Sequence, residues 1–143
     1  MPYADVGSAR DAILGMFKTA WEGQGGTIPP VAYDDVPFDI PASGSAWIRL
    51  QIKHNLSKQA TLGGVGGRRF RKTGLITAQV FTPFGKGLTA SDAFVKVIVG
   101  AFEGKTTKPD GVNFYKFTSS EIGQSGDWFQ TNIVGTFEYD VLV

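Results

Sequence analysis

Apolar and polar residues alternate along this chain with two different periods, and the change of period marks its elements. From Gly74 to Thr82 the period is two. Leu75, Thr77, Gln79 and Phe81 face one way and Ile76, Ala78, Val80 and Thr82 the other, several of them β-branched, which predicts a strand. Pro83 cannot donate to a sheet ladder, and Gly85 and Gly87 permit a tight turn. The period then lengthens: Ala90, Ala93, Phe94, Val97, Ile98, Ala101 and Phe102 follow the i, i+3, i+4, i+7 spacing of an amphipathic helix. Thr89 and Asp92 stand in capping-box relation at its start, and Gly104 offers a left-handed stop. Burying Phe94, Val97, Ile98 and Phe102 would contribute about 1.5–3 kcal/mol each, enough to dock the helix on a sheet.

The remaining segments read around this strand–turn–helix unit. Ser8 to Trp21 predicts a first helix, with Ser8 and Asp11 at capping-box spacing, an apolar stripe of Ala9, Ala12, Ile13, Met16, Phe17 and Ala20, and a stop at Gly23, Gly25 and Gly26. Ile28 to Pro41 is irregular and carries four prolines, with Val31 to Asp34 a possible short edge strand. Ala46 to His54 alternates, with Ala46, Ile48, Leu50, Ile52 and His54 on one face and Trp47, Arg49, Gln51 and Lys53 on the other. Asn55 to Lys72 reads as the loop joining two strands, a glycine-rich run followed by RRFRK. After the second helix, Lys105 to Gly111 is a polar turn. Val112 to Thr118 is a strand whose broken alternation calls for a bulge or for apolar residues on both faces. Glu121 to Asp127 reads as a Gly/Ser turn. Trp128 to Val143 is a long closing strand with Phe129, Ile133, Phe137, Tyr139 and Val141 towards the core.

No internal repeat and no separating linker appears. The expectation is an α+β fold in a single domain over residues 1–143. It has a mostly antiparallel sheet of four to five strands, two helices packed on it, and a projecting β-hairpin or loop.

Composition narrows the chemistry. The chain has 143 residues and no cysteine, which excludes disulfides, thiolate metal sites and a cysteine nucleophile. No apolar run approaches the roughly 20 residues that cross a bilayer, and the first residues lack the build of a signal peptide, which reads as a cytosolic chain with no membrane partner. The net charge of +1 hides a segregation. Residues 1–39 carry a net −4, residues 40–91 a net +8 with no acid at all, and residues 92–143 a net −3. The middle third holds Arg49, Lys53, Lys58, Arg68, Arg69, Arg71, Lys72 and Lys86. Either these cations form a basic surface facing nucleic acid or the acidic surface of a neighbouring copy, or the strands bring the three segments together and the charges mix.

Catalytic readings fail on the residues available. One histidine without cysteine cannot build a common zinc site, and His54 continues an apolar strand face as a structural residue would. Asp34 and Asp35 are adjacent, so a strand would point them to opposite faces; with Asp39 they suit turns better than a shared acid/base site. A phosphate loop at 62–73 would need a glycine where Arg71 stands and a helix where a strand follows. No nucleophile, base and oxyanion donor can be assembled, so no enzyme, cofactor or metal is expected. The clustered arginines around Phe70 fit a nucleic-acid-facing arm, and a solvated hairpin tip fits them too.

The order of features does suggest a family. A leading helix, a Pro-rich segment and a strand with Trp47 precede the glycine loop. Then come R-x-x-G-x-x-x-x-Q-V-F-x-P-x-G-x-G from Arg71 to Gly87, a helix with Ala93, Phe94 and Phe102, and a closing strand from Trp128-Phe129 to Phe137, Tyr139 and Asp140. The whole resembles the tail terminator, or tail completion, proteins of long non-contractile-tailed bacteriophages. The resemblance implies a virion protein assembled in the host cytoplasm. It implies a six-membered ring that caps the head-proximal end of the tail tube, ends tube polymerisation and meets the head connector or stopper protein. Phage DNA would pass through the lumen without sequence-specific contact. The eight cations named above are then candidates for the ring interface or the DNA lumen. Two other classes remain open: a nucleic-acid-binding module using the basic hairpin, and another phage neck or tail-tube protein.

Overall fold

The computed structural model describes residues 6–24, 28–34, 36–41, 45–59, 64, 68–85, 87–105 and 111–142, with the side chains of Val6, Leu56, Lys58 and Leu142 outside the description. In chain order the elements are α1 (Val6–Glu22), β1 (Val31–Ala32), β2 (Trp47–Gln59), β3 (Arg69–Pro83), α2 (Thr89–Phe102), β4 (Asn113–Ser125) and β5 (Trp128–Leu142). The strands form one sheet in the order β1-β2-β3-β5-β4. Every neighbouring pair is antiparallel except β1–β2. This is the expected α+β arrangement of two helices with a mostly antiparallel sheet.

Both helices feed one core. Ala9, Ile13, Phe17 and Trp21, each four residues apart, bury the inner stripe of α1 against Ile48, Leu50 and Ile52 of β2, Ile76, Ala78 and Val80 of β3, and Ile133, Phe137 and Tyr139 of β5. Phe102 of α2 stacks on Phe17 with ring centroids 6.4 Å apart and on Phe117 at 5.5 Å. The Trp21 indole donates to the Pro29 carbonyl at 3.1 Å, so its polar atom is satisfied inside the core.

Several local expectations are corrected. α1 begins at Val6, so Ser8 lies inside the helix and cannot cap it. α2 does begin at Thr89, but the residue before it, Leu88, takes the cap position and makes no side-chain cap bond. Asp92 instead places its charge in the first turn, where the helix dipole favours an anion. Ala90 and Ala93 are exposed, and Ser91 is the buried residue of that turn. Its hydroxyl meets the Thr131 hydroxyl at 3.0 Å, which lets two polar groups lie against the sheet. Gly104 behaves as expected, with φ of +70° and the Lys105 amide donating back to the Phe102 carbonyl at 3.0 Å.

The hairpins are longer than the alternation shows. β2 and β3 pair as far as Gln59↔Phe70, so Asn55–Gln59 and Arg69–Lys72 are ladder rather than loop. The pattern hides this because the register shifts between His54 and Leu56, which reverses the phase of every residue beyond. β4 likewise continues to Ser125, leaving Gly126 and Asp127 as the turn into β5. Its register shift between Phe114 and Phe117 is a bulge, one of the two readings the broken alternation allowed: Tyr115 and Lys116 together stand opposite the single Thr136, and both phenylalanines reach the core. The Phe117 ring covers its cross-strand partner Gly135, where a Cβ would overlap it.

His54 closes the base of the β2–β3 hairpin. Its Nε2 lies 2.6 Å from the Tyr139 hydroxyl, and its ring stands edge-on to Phe137 and Tyr139. Burial first, then the nearby charges of Arg10 and Lys72, push the imidazole below its ordinary value of 6.5. The unfolded chain therefore binds that proton more readily than the folded one. The stability contributed by neutral His54 is whole above about pH 6.5 and is lost as pH falls below it towards the folded-state value. Melting temperatures between about pH 5 and pH 8 should fall on the acid side, and His54→Gln should flatten that fall. An unchanged fall in the variant would assign it to other groups.

Candidate interface on the open face of the sheet

Because both helices lie on one face, strand alternation turns the other set of side chains away from them. That set includes Trp47, Arg49, Gln51 and Lys53 of β2, the odd-numbered residues of β3 and the even-numbered residues of β5. Registers place Arg49 beside Gln79, which is itself opposite Asn132; Lys53 lies beside Leu75, and Arg71 beside Asp140. The face divides into two ends with a polar band between.

One end is aromatic. Trp47 stacks on Phe81 with centroids 4.1 Å apart and on Phe38 at 5.6 Å, and Trp128 meets it edge-on at 6.2 Å. The Arg49 guanidinium lies 5.3 Å over the Trp47 ring and donates to Gln79 Oε1 at 3.4 Å. Trp128 donates its indole N–H to the Ser45 carbonyl at 2.8 Å. A shallow depression of about 360 Å³ opens here, between Trp47, Arg49, Gln79, Trp128 and Gln130.

The other end is charged. Arg71 donates to both oxygens of Asp140, from Nε at 3.0 Å and from a terminal nitrogen at 3.4 Å, and Arg69 lies 3.7 Å from the same carboxylate. The hydrogen bond to Asp140, then its charge, raises the guanidinium of Arg71 still further above its ordinary value. Tyr115 donates its hydroxyl to Glu138, which raises the phenol, burial adding to the effect. Thus the basic middle of the chain meets the acidic last third here, and part of the charge segregation is cancelled within the molecule.

The structure therefore sorts the eight sequence-derived cations. Arg49, Lys53, Arg69 and Arg71 share the open face. Lys72 points to the helix side and donates to Ser57 at 3.1 Å. Arg68 precedes the strand, with its guanidinium 6.0 Å over the Phe70 ring. The side chain of Lys58 and the whole of Lys86 lie outside the described residues, as do Gly25, Gly26, Asp35 and all of the glycine run 62–67 except Gly64. Among the described residues neither Arg49 nor Lys53 has a carboxylate partner. Sequence reasoning missed the partners Asp140 and Glu138, which the register of β3 on β5 brings beside the arginines, and Tyr115, which β4 brings to Glu138. It also missed the aromatic end, whose members come from four separate segments.

A family model described as phage tail terminator protein matches residues 9–134. The chain belongs to the phage tail terminator family. The match runs from α1 into β5 and stops before Asp140, so the ion pair with Arg71 lies partly beyond it. A solved structure is similar over 94% of this chain and 96% of that chain, with a TM-score of 0.65 and 18% identity, a likeness of fold. No curated protein sequence matches. The family is structural: its members are components of the virion tail that serve in tail assembly and interact with other tail and head components. Among the described residues no group of three or more His, Cys, Asp or Glu could hold a metal ion, and no helix is long and apolar enough to cross a membrane.

Proposed function

We propose that this tail terminator, acting as one domain over residues 1–143, closes into a six-membered ring on the head-proximal end of the tail tube. There it ends tube polymerisation and presents a surface to the head connector or stopper protein. The observation that carries the reading is the open sheet face, bearing Arg49 and Lys53 with no carboxylate partner among the described residues, on a chain of this family. A lumen through which DNA slides needs modest positive charge, because many phosphate contacts would hold the DNA fast. Two cations per copy that no carboxylate neutralises among the described residues meet that need.

The rival reading, a nucleic-acid-binding hairpin, draws less support, since Arg69 and Arg71 are engaged with Asp140 and Lys72 with Ser57. Electron microscopy of particles lacking this gene tests the assembly role: overlong tails unjoined to heads, rescued by added protein, are expected. Normal-length tails would overturn it. Complementing with Arg49→Glu and Lys53→Glu together should restore tail length and joining while slowing DNA ejection several-fold. Unchanged ejection would take these two residues out of the lumen.

A further inference from the structure

A sheet that is not a barrel has two edges, and an edge strand offers its outward N–H and C=O groups to any strand that arrives. Here the two edges end in the same way. On the first, β1 pairs with β2 only at Val31↔Ile48 and Ala32↔Arg49. Outward amides of β2 recur at every second residue: the Ile48 N–H donates to the Pro30 carbonyl at 3.0 Å, and the Ile52 N–H donates to Asp34 Oδ2 at 3.0 Å. Asp34 follows β1 by two residues, so its carboxylate stands where a further rung of β1 would have placed a backbone carbonyl.

On the second edge, β4 turns the amides of Phe114 and Phe117 outward. The Phe114 N–H donates to the Lys105 carbonyl at 3.2 Å, and the Phe117 N–H donates to Glu103 Oε2 at 3.3 Å. Glu103 is the residue that closes α2. A loop and a helix end, unrelated in sequence, thus each deliver a carboxylate to the outward amide at which backbone cover runs out among the described residues. An ionised carboxylate accepts and cannot donate. It occupies the amide that the carbonyl of an arriving strand would otherwise take.

We propose that Asp34 and Glu103 are edge stops, and that the two edges they hold are latent strand-pairing surfaces whose partner is a second copy of this chain. The β4 edge of one copy and the β2 edge of the next would continue the sheet head to tail, and such a contact repeats without closing unless its rotation happens to close it. The bulges at Tyr115–Lys116 and at Ile122 bend the same edge and act in the same direction. Ile122, 55% exposed on that edge, is the apolar residue an added strand would cover. This inference does not depend on the ring or on its place in the virion.

The test is the size distribution of purified protein over a range of concentrations, by sedimentation velocity with circular dichroism alongside. The double variant Asp34→Ala, Glu103→Ala should retain the native spectrum. It should grow with concentration to species of roughly twice the mass of the largest formed by the unsubstituted chain, or more. Asp34→Asn with Glu103→Gln keeps an acceptor oxygen at each amide and should keep the unsubstituted distribution. The proposal is overturned if the folded alanine variant has the unsubstituted distribution, or if its growth accompanies loss of the native spectrum. It is equally overturned if the amide variant grows as much as the alanine variant, since lost surface charge would then be the cause.

Discussion

Gly74→Ala should cost about 3 kcal/mol of stability and lower the melting temperature by roughly 10 °C, although it adds a single methyl group. Gly74 lies in the central strand opposite His54, and a Cβ there would overlap the Lys53 carbonyl oxygen and approach Phe137 Cζ to 2.6 Å. A ring can turn, but the carbonyl belongs to the neighbouring ladder and cannot leave without breaking it. The bulge next to His54 already displaces β2 at this point, so the close approach is part of how the hairpin bends over Phe137 and Tyr139. Thermal melts of the variant decide the matter: a loss below about 1 kcal/mol would mean that β2 can move away from β3 here.

Phe102→Ala should cost about 3–5 kcal/mol, by the opposite mechanism. Phe102 is fully buried, and its ring lies between those of Phe17 and Phe117 and 5.1 Å from Phe114. Truncation leaves a cavity whose walls are other rings, anchored on α1 and on both sides of the β4 bulge, so collapse into it is poor. Phe102→Leu should recover more than half of the loss, because it restores most of the volume without the stacking. Denaturant titration reads both, and a cost under about 2 kcal/mol for the alanine variant would show that α1 and α2 can close together across the gap.

The parts of this fold that were legible in the sequence are those fixed by near neighbours. The two helices, the buried faces of β2, β3 and β5, the left-handed Gly104 and the bulge in β4 each follow from residues within a few positions of one another. What could not be read depends on register or on local accident. The β2–β3 hairpin looked five residues shorter on β2 because one bulge reverses the phase beyond His54. Thr89 and Asp92 have capping-box spacing, yet Leu88 occupies the cap. Of the candidate interface, the eight cations were visible but not their faces or partners. Arg71 and Asp140 are 69 positions apart, and nothing near either residue announces the other. The tail terminator family was legible from the order of features along the chain and from one local segment, Arg71 to Gly87, and the family match spans residues 9–134.

That separation bears on how the chain acquires its structure. β3 takes its first partner from the adjacent β2, but its second, β5, is the last strand in sequence and must enter between β3 and β4. Contacts so far apart repay loop-closure entropy only late, which places folding in the slow regime of β-rich domains, on the order of milliseconds to seconds. β5 pairs with β4 across the two-residue turn at Gly126 and Asp127, but until that hairpin docks on β3 the central strand has one unpaired row of amides. A chain whose last strand has not yet docked therefore exposes a strand edge that the finished sheet covers, and that edge closes only when β5 reaches β3.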